Sequence, residues 1–157
     1  MSGADTKVIH PSRRIHGRLT VPGDKSVSHR VALLSALASG ESSVEGFLDS
    51  EDCLNTLKAV EALGASFSRK GDHVTIRGTG GLFRKPSAVL DMGNSGTGIR
   101  LLAGLLAGQG FSAELTGDAS LRSRPMRRIQ EPLARMGATV ELLGDKGCAP
   151  VRIIGGK

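Results

Sequence analysis

The chain is expected to fold as an α+β protein of two repeated βαβαββ units, and three features of its 157 residues lead there. Helical and strand spacings of apolar residues follow one another in the same order twice. Each half opens on a glycine-marked helix start with an arginine on its first turns. The second half also overlays the first: with an offset of 70, Gly93 falls on Gly23, Arg100 on Arg30, Gly110 on Gly40 and Ser112 on Ser42. With an offset of 73, Met136-Gly137-Ala138 falls on Leu63-Gly64-Ala65. Each duplicated unit presents an apolar face that its neighbour helps to cover.

Residues 1–16 read as a polar, basic N-terminal arm and residues 17–157 as the folded part, with units at about 17–80 and 86–157. In the first unit a strand is expected at Arg18 to Val21, then a helix from about Ser26 to Ala38 carrying Val27, Val31, Leu34 and Ala38 at helical spacing. A strand near Ser43 to Phe47 and a helix from about Glu51 to Leu63 follow, the latter with Cys53, Leu57 and Val60 on its apolar stripe. Strands near Ala65 to Ser68 and Val74 to Arg77 flank the turn residues Arg69-Lys70-Gly71-Asp72. Gly78 to Gly81 and Leu82 to Pro86 read as an exposed connection or hinge.

The second unit repeats the order: a strand at Ala88 to Asp91, a helix from about Ser95 to Ala107, and a strand at Ala113 to Thr116. A helix near Pro125 to Met136 and strands at Thr139 to Leu142 and Val151 to Ile154 complete it. Ile99, Leu102 and Leu106 mark the buried face of the third helix, and Gly104 and Gly108 suggest close backbone packing. Pro125 suits a helix start, whereas Pro132 removes a hydrogen bond inside the same helix and kinks it.

Composition narrows the function. Hydrophobic residues make up 39% of the chain and charged residues 23%, as in a soluble globular protein, and 21 basic against 15 acidic residues leave a net charge of +6. That surplus favours anionic partners: phosphorylated metabolites, nucleic acid or lipid. With no Trp or Tyr and four Phe, stacking platforms for nucleic acid are scarce. Cys53 and Cys148 have neither zinc-ligand nor disulfide-framework spacing, so a core thiol is the expected role of Cys53. No secretory signal opens the chain, and Leu101 to Leu106 is too short to cross a bilayer. The cytoplasm is the default compartment.

The chemistry concentrates at two helix starts. Pro22-Gly23-Asp24-Lys25-Ser26-Val27-Ser28-His29-Arg30 sets Lys25, Ser26 and Arg30 at a helix N-terminus, where unsatisfied N–H groups and the positive end of the macrodipole attract anions. Asp24 or Ser26 also reads as a plain cap with Lys25 and Arg30 as solvated charges, but the second copy favours an anion site. In that copy, Gly93-Asn94-Ser95-Gly96-Thr97-Gly98-Ile99-Arg100 brings small residues to a helix start. Its spacing is neither that of a Walker loop nor that of a dinucleotide fingerprint. Arg124, within the basic run Arg122 to Arg128 and just before Pro125, is placed to aim a two-pronged donor at a carboxylate or phosphate. Asp49, Glu51 and Asp52 read as capping residues of the second helix, His29 as a packed or hydrogen-bonded neighbour of the first site, and no acid/base pair stands out.

These two stretches, together with Gly117-Asp118-Ala119-Ser120-Leu121-Arg122-Ser123-Arg124-Pro125-Met126, resemble the 5-enolpyruvylshikimate-3-phosphate synthase (3-phosphoshikimate 1-carboxyvinyltransferase) family over nearly the whole chain and in family order. The resemblance implies an enolpyruvyl-transferase domain of the inside-out α/β barrel type. It also implies transfer of the enolpyruvyl group from phosphoenolpyruvate to the 5-hydroxyl of shikimate 3-phosphate, without metal or organic cofactor, in aromatic amino-acid biosynthesis. By carry-over, Lys25, Ser26 and Arg30 hold shikimate 3-phosphate, and Lys25 also reaches phosphoenolpyruvate as the catalytic residue. Asn94, Gly96 and Arg124 line the phosphoenolpyruvate site, where glyphosate competes. The family's enzymes are much longer, with two globular domains of three such units each. This chain therefore looks like an N-terminal fragment, inactive alone and completed by a C-terminal part that carries the acid/base carboxylates. UDP-N-acetylglucosamine enolpyruvyl transferase is disfavoured, because Lys25-Ser26 stands where it has Lys-Asn and no Cys lies in Gly117 to Pro125. The nucleotide-handling motifs of RNA 3'-phosphate cyclase are not visible. A basic, non-catalytic nucleic-acid-binding module on the same repeats is the alternative of another class; the enzyme reading expects no nucleic-acid or membrane partner.

Overall fold

The computed structural model describes residues 6–156, so residues 1–5 of the expected N-terminal arm and Lys157 lie outside the described residues. The described chain is a mixed α/β protein of four α-helices and two sheets. The first half contains α1 (Lys25–Leu37), β1 (Glu41–Val44), α2 (Glu51–Ala62), β2 (Ser66–Lys70) and β3 (His73–Arg77). The second contains β4 (Leu90–Asp91), α3 (Gly96–Ala107), β5 (Ser112–Thr116), α4 (Arg127–Arg135), β6 (Thr139–Leu142) and β7 (Val151–Ile154).

Strand chemistry sets the two sheets. In β3, Val74 and Ile76 are fully buried while the residues between them are not, the period-2 pattern of a half-buried strand. β3 lies between β1 and β2, antiparallel to both. The second sheet runs β4-β5-β7-β6, with β4 and β5 parallel and the other pairs antiparallel. On its outer face Arg152 pairs with Glu141 and Glu114 from the neighbouring strands. The larger core gathers Ile99, Leu102 and Leu106 of α3 against Leu115, Val151 and Ile153; the smaller joins Ala32, Phe47, Cys53 and Leu57 to Val74 and Ile76. Ile99, Leu102 and Leu106, with Cys53, Leu57 and Val60, are buried as expected.

Some expectations are corrected. The strand expected at Arg18 to Val21 is absent: Leu19 is 82% and Val21 70% exposed, so their alternation has no sheet face to bury against. On α1 the inward face is not the Val27/Val31/Leu34 stripe but Ser28, His29, Ala32, Leu33, Ser35 and Ala36; Leu34 is 63% exposed. Periodicity names a stripe, but which stripe is buried depends on what packs there. A Cβ added at Gly104 would meet nothing within 4 Å and one at Gly108 only a carbonyl at 3.7 Å, whereas Gly96 and Gly98 are the tightly enclosed glycines of α3. The last helix begins at Arg127 rather than Pro125, which instead bridges to Cys148, and Pro132 lies inside it with only Leu133 buried. Its solvent-facing position makes the lost hydrogen bond tolerable.

The connection between the halves is pinned rather than free. Thr79 donates from its N–H and hydroxyl to the Ala36 carbonyl (2.9 and 3.1 Å), and the Phe83 N–H donates to Gln109 Oε1 at 2.9 Å. Phe83 is itself buried in the larger core. No helix among the described residues is long and apolar enough to cross a membrane.

Candidate functional site

The first helix start is built by its cap. Asp24 Oδ1 accepts the Val27 N–H at 2.7 Å, fixing the first turn of α1, and Ser28 ties that turn inward by accepting the Leu48 N–H at 3.0 Å. Gly23 precedes the cap because a Cβ there would strike the Gly46 carbonyl. Lys25, half exposed, forms an ion pair with Asp52, on the first turn of α2. Asp52 is therefore more than a cap, and the cap of α2 is Ser50, whose hydroxyl accepts the Cys53 N–H; Asp49 pairs instead with Arg69. Ser26 is partly buried, and Arg30 is exposed beside the apolar hollow of Leu33, Leu34, Leu101 and Leu105.

The second helix start gathers a denser cluster. Ser95 caps α3 by accepting the Gly98 N–H at 3.0 Å. Asn94 donates both to Asp118 Oδ2 at 2.8 Å and to Oδ1 at 3.1 Å, which turns its amide oxygen toward Arg124 Nη2, the donor of a very short bond to it. Asp118 also accepts the Leu121 N–H at 2.7 Å; these hydrogen bonds, backbone first, hold its carboxyl below the usual carboxylate range. Arg100 folds back on the helix, donating to the Gly96 carbonyl at 2.9 Å and the Pro125 carbonyl at 3.1 Å, and its Nε is buried without a partner. Burial first, then Arg128 and Arg124, lower the Arg100 pKa. Two guanidinium groups, Arg100 and Arg124, thus crowd one helix tip, an arrangement that an anion relieves.

His29 is fully buried between the two starts, 2.8 Å by Nδ1 from Thr56 Oγ1 on α2 and 3.3 Å by Nε2 from Ser95 Oγ. Burial lowers its pKa from the ordinary 6.5, outweighing the opposing attraction of Asp52; Lys25 lowers it further. The unfolded chain then binds the proton more readily than the folded one. Stability is fully present above about pH 6.5 and is lost as pH falls below it. Denaturation midpoints measured between pH 7.5 and 5 are expected to show that fall in the unaltered chain and a flatter slope in His29→Gln.

Asn94, Gly96 and Arg124 are therefore brought together directly: a Cβ on Gly96 would lie 2.9 Å from Arg124 Nη1 and 3.0 Å from Arg100 Nη1. Lys25 joins them through α2, since Asp52 meets Lys25 and, one turn on, Asn55 abuts Gly93. Arg30 points along the α1–α3 groove and takes no part in that cluster; it has no ion pair among the described residues. Arg124 is aimed not by a helix at Pro125 but by the 3-10 turn Leu121–Ser123 that ends at it. Asp52 and Asp118 are not marked as site residues by the sequence, and Arg100 is marked only as the arginine on the first turns of the second helix start. For Asp118 a signal exists: an Asp three residues before Leu121 is spaced to cap a tight turn.

An antiparallel and a mixed sheet, with two helix tips that carry cationic side chains, define a class, a mixed α/β protein. Its affiliation follows from comparison with known proteins. The EPSP synthase (3-phosphoshikimate 1-carboxyvinyltransferase) family model matches residues 9–157, and the chain belongs to that family. It is 53% identical over 156 residues to a 3-phosphoshikimate 1-carboxyvinyltransferase of Akkermansia muciniphila, covering 94% of this chain and 36% of the relative. It is 51% identical over 146 residues to the Limosilactobacillus fermentum protein of the same name, covering 92% and 33%. Among solved structures, an EPSP synthase from Acinetobacter baumannii superposes with a TM-score of 0.83 at 51% identity, over 89% of this chain and 32% of that one. The chain thus spans about a third of the length of these relatives.

Proposed function

We propose that this chain forms the shikimate 3-phosphate site and part of the phosphoenolpyruvate site of a 3-phosphoshikimate 1-carboxyvinyltransferase. That enzyme transfers the enolpyruvyl group to the 5-hydroxyl of shikimate 3-phosphate and releases phosphate. The observation that carries the reading is the cluster of Asn94, Gly96, Arg100 and Arg124 at the tip of α3, three of whose side chains are hydrogen-bonded into place. Lys25, Ser26 and Arg30 hold shikimate 3-phosphate; Lys25, an ammonium steadied by its ion pair with Asp52, also faces phosphoenolpyruvate as the catalytic cation; Asn94, Gly96 and Arg124 receive the phosphoenolpyruvate anion. Acid/base groups belong to a complementary C-terminal part, so the chain is inactive alone. Two repeated units of an inside-out α/β barrel, at about 17–80 and 86–157, fit the matching strand orders β1-β3-β2 and β5-β7-β6. Aromatic amino-acid biosynthesis in the cytoplasm is the corresponding setting.

The test is titration of the chain with shikimate 3-phosphate and phosphoenolpyruvate, followed by residue-resolved NMR shifts. Saturable shifts at Lys25, Ser26 and Arg30 that persist against competing RNA support the reading. A steep loss of affinity with salt and displacement by RNA would instead favour the nucleic-acid module.

Glyphosate is proposed to compete at Gly96. In the enzyme completed by its C-terminal part, Gly96→Ala pushes a methyl against two guanidinium groups, 2.9 and 3.0 Å away. It is expected to raise the glyphosate concentration for half-inhibition by roughly tenfold or more, a loss of about 1.4 kcal/mol. An unchanged inhibition curve removes Gly96 from the inhibitor's site.

A further inference from the structure

We infer that His29 is a positioning residue: a neutral, Nδ1-protonated imidazole that ties the tip of α3 to α1 and α2 through Ser95 and Thr56. The tautomer follows from tracing each proton along the chain of contacts. The Thr56 hydroxyl donates to the Asp52 carbonyl at 3.4 Å, so its oxygen accepts, and the group 2.8 Å away that must donate is His29 Nδ1–H. Nε2 is then bare and accepts from the Ser95 hydroxyl at 3.3 Å, leaving Ser95 Oγ to accept the Gly98 N–H at 3.0 Å. Every side-chain polar atom of His29, Thr56 and Ser95 is satisfied in one direction, and all three residues are buried.

The two ends of this chain of hydrogen bonds are the two candidate subsites. Asp52, at one end, holds Lys25 by its carboxylate. Ser95, at the other, stands between Asn94 and Gly96 and caps the helix they begin. Its oxygen accepts the Gly98 N–H through a lone pair, and its own buried proton finds a partner in His29 Nε2, which fixes the rotamer that caps the helix. Gly98 is a glycine for the same reason: a Cβ there would lie 2.7 Å from Ser95 Oγ and 2.9 Å from Thr56 Oγ1, inside the network. His29 touches no ligand position itself; it sets the orientation of the α3 tip. Its consequence for phosphoenolpyruvate rests on the function proposed above, whereas its effect on the α3 cap does not.

Two substitutions separate the ties. In His29→Asn the amide still reaches Thr56 as a donor but not Ser95; in His29→Gln the amide oxygen reaches Ser95 but the donor to Thr56 is lost. Nitrogen-15 imidazole correlations of the unaltered chain at pH 7 are expected to show one tautomer, protonated at Nδ1. Amide exchange at Gly98 is expected to speed up at least tenfold in His29→Asn and to stay within about threefold in His29→Gln. An Nε2-protonated or charged ring overturns the assignment without recourse to any variant, including the case in which His29→Asn fails to fold. Equal exchange in the two folded variants overturns it as well; the split at Gly98 is read relative to the other α3 amides, because asparagine also leaves the larger void at this buried position. Titration with shikimate 3-phosphate and phosphoenolpyruvate together is expected to weaken at least fivefold in His29→Asn and under twofold in His29→Gln; equal weakening counts against the positioning role. A chain that binds neither compound yet shows the tautomer and the exchange split upholds the tie to α3 and removes the proposed ligand sites.

Discussion

Arg124→Ala is expected to cut phosphoenolpyruvate affinity roughly 10- to 100-fold, with little change in stability. The guanidinium is partly buried and held by Asn94 and Ser120 rather than by a carboxylate, so it is oriented and its charge is not cancelled. A hydrogen bond to a charged group contributes about 1.5–3 kcal/mol, and each 1.4 kcal/mol or so is tenfold in affinity. Arg124→Lys keeps the charge but loses the planar fork, and recovers only part of the loss. Asp118→Asn provides the companion measurement, because it releases the Asn94 amide that aims Arg124. Calorimetric or NMR titration of the three variants decides: affinity unchanged in Arg124→Ala takes the α3 tip out of the anion site.

The same substitution at two positions of one helix is expected to give opposite signs. Gly98→Ala places a methyl 2.7 Å from Ser95 Oγ and 2.9 Å from Met92 Cε and Thr56 Oγ1, in a site with no solvent to yield into. Overpacking of that kind costs about 1–3 kcal/mol, more than the roughly 1 kcal/mol that alanine contributes over glycine in a helix. It also strains the cap that Ser95 provides. At Gly104, exposed with nothing within 4 Å, only the favourable contribution remains. Thermal midpoints should therefore fall by several degrees in Gly98→Ala and rise by roughly 2–4 °C in Gly104→Ala. A Gly98→Ala chain as stable as the unaltered one contradicts the enclosed geometry, and a destabilised Gly104→Ala contradicts the open one.

Element types were legible wherever local periodicity and tertiary packing agreed. The strands expected at Thr139 to Leu142 and Val151 to Ile154 match β6 and β7, and the first three helices fall within a residue or so of their expected ends. Where an apolar pattern lacked a partner, the reading failed. Leu19 and Val21 alternate like a strand and lie in water; Val27 and Leu34 mark a helical stripe that faces out. Asp118 and Asp52 look like ordinary turn and cap residues because their work on Asn94 and Lys25 is done across 24 and 27 positions of sequence.

The sequence by itself determined the two glycine-marked helix starts, their cationic residues and the family, because caps, turns and motif spacing are local chemistry written in consecutive residues. Only the tertiary structure decided that Asn94, Gly96, Arg100 and Arg124 share one tip while Arg30 lies along a groove, that Gly98 rather than Gly104 is enclosed, and that His29 joins the halves. Those outcomes depend on which helix faces meet, a choice made by burial and by pairing polar groups across the fold, and no stretch of neighbouring residues encodes it.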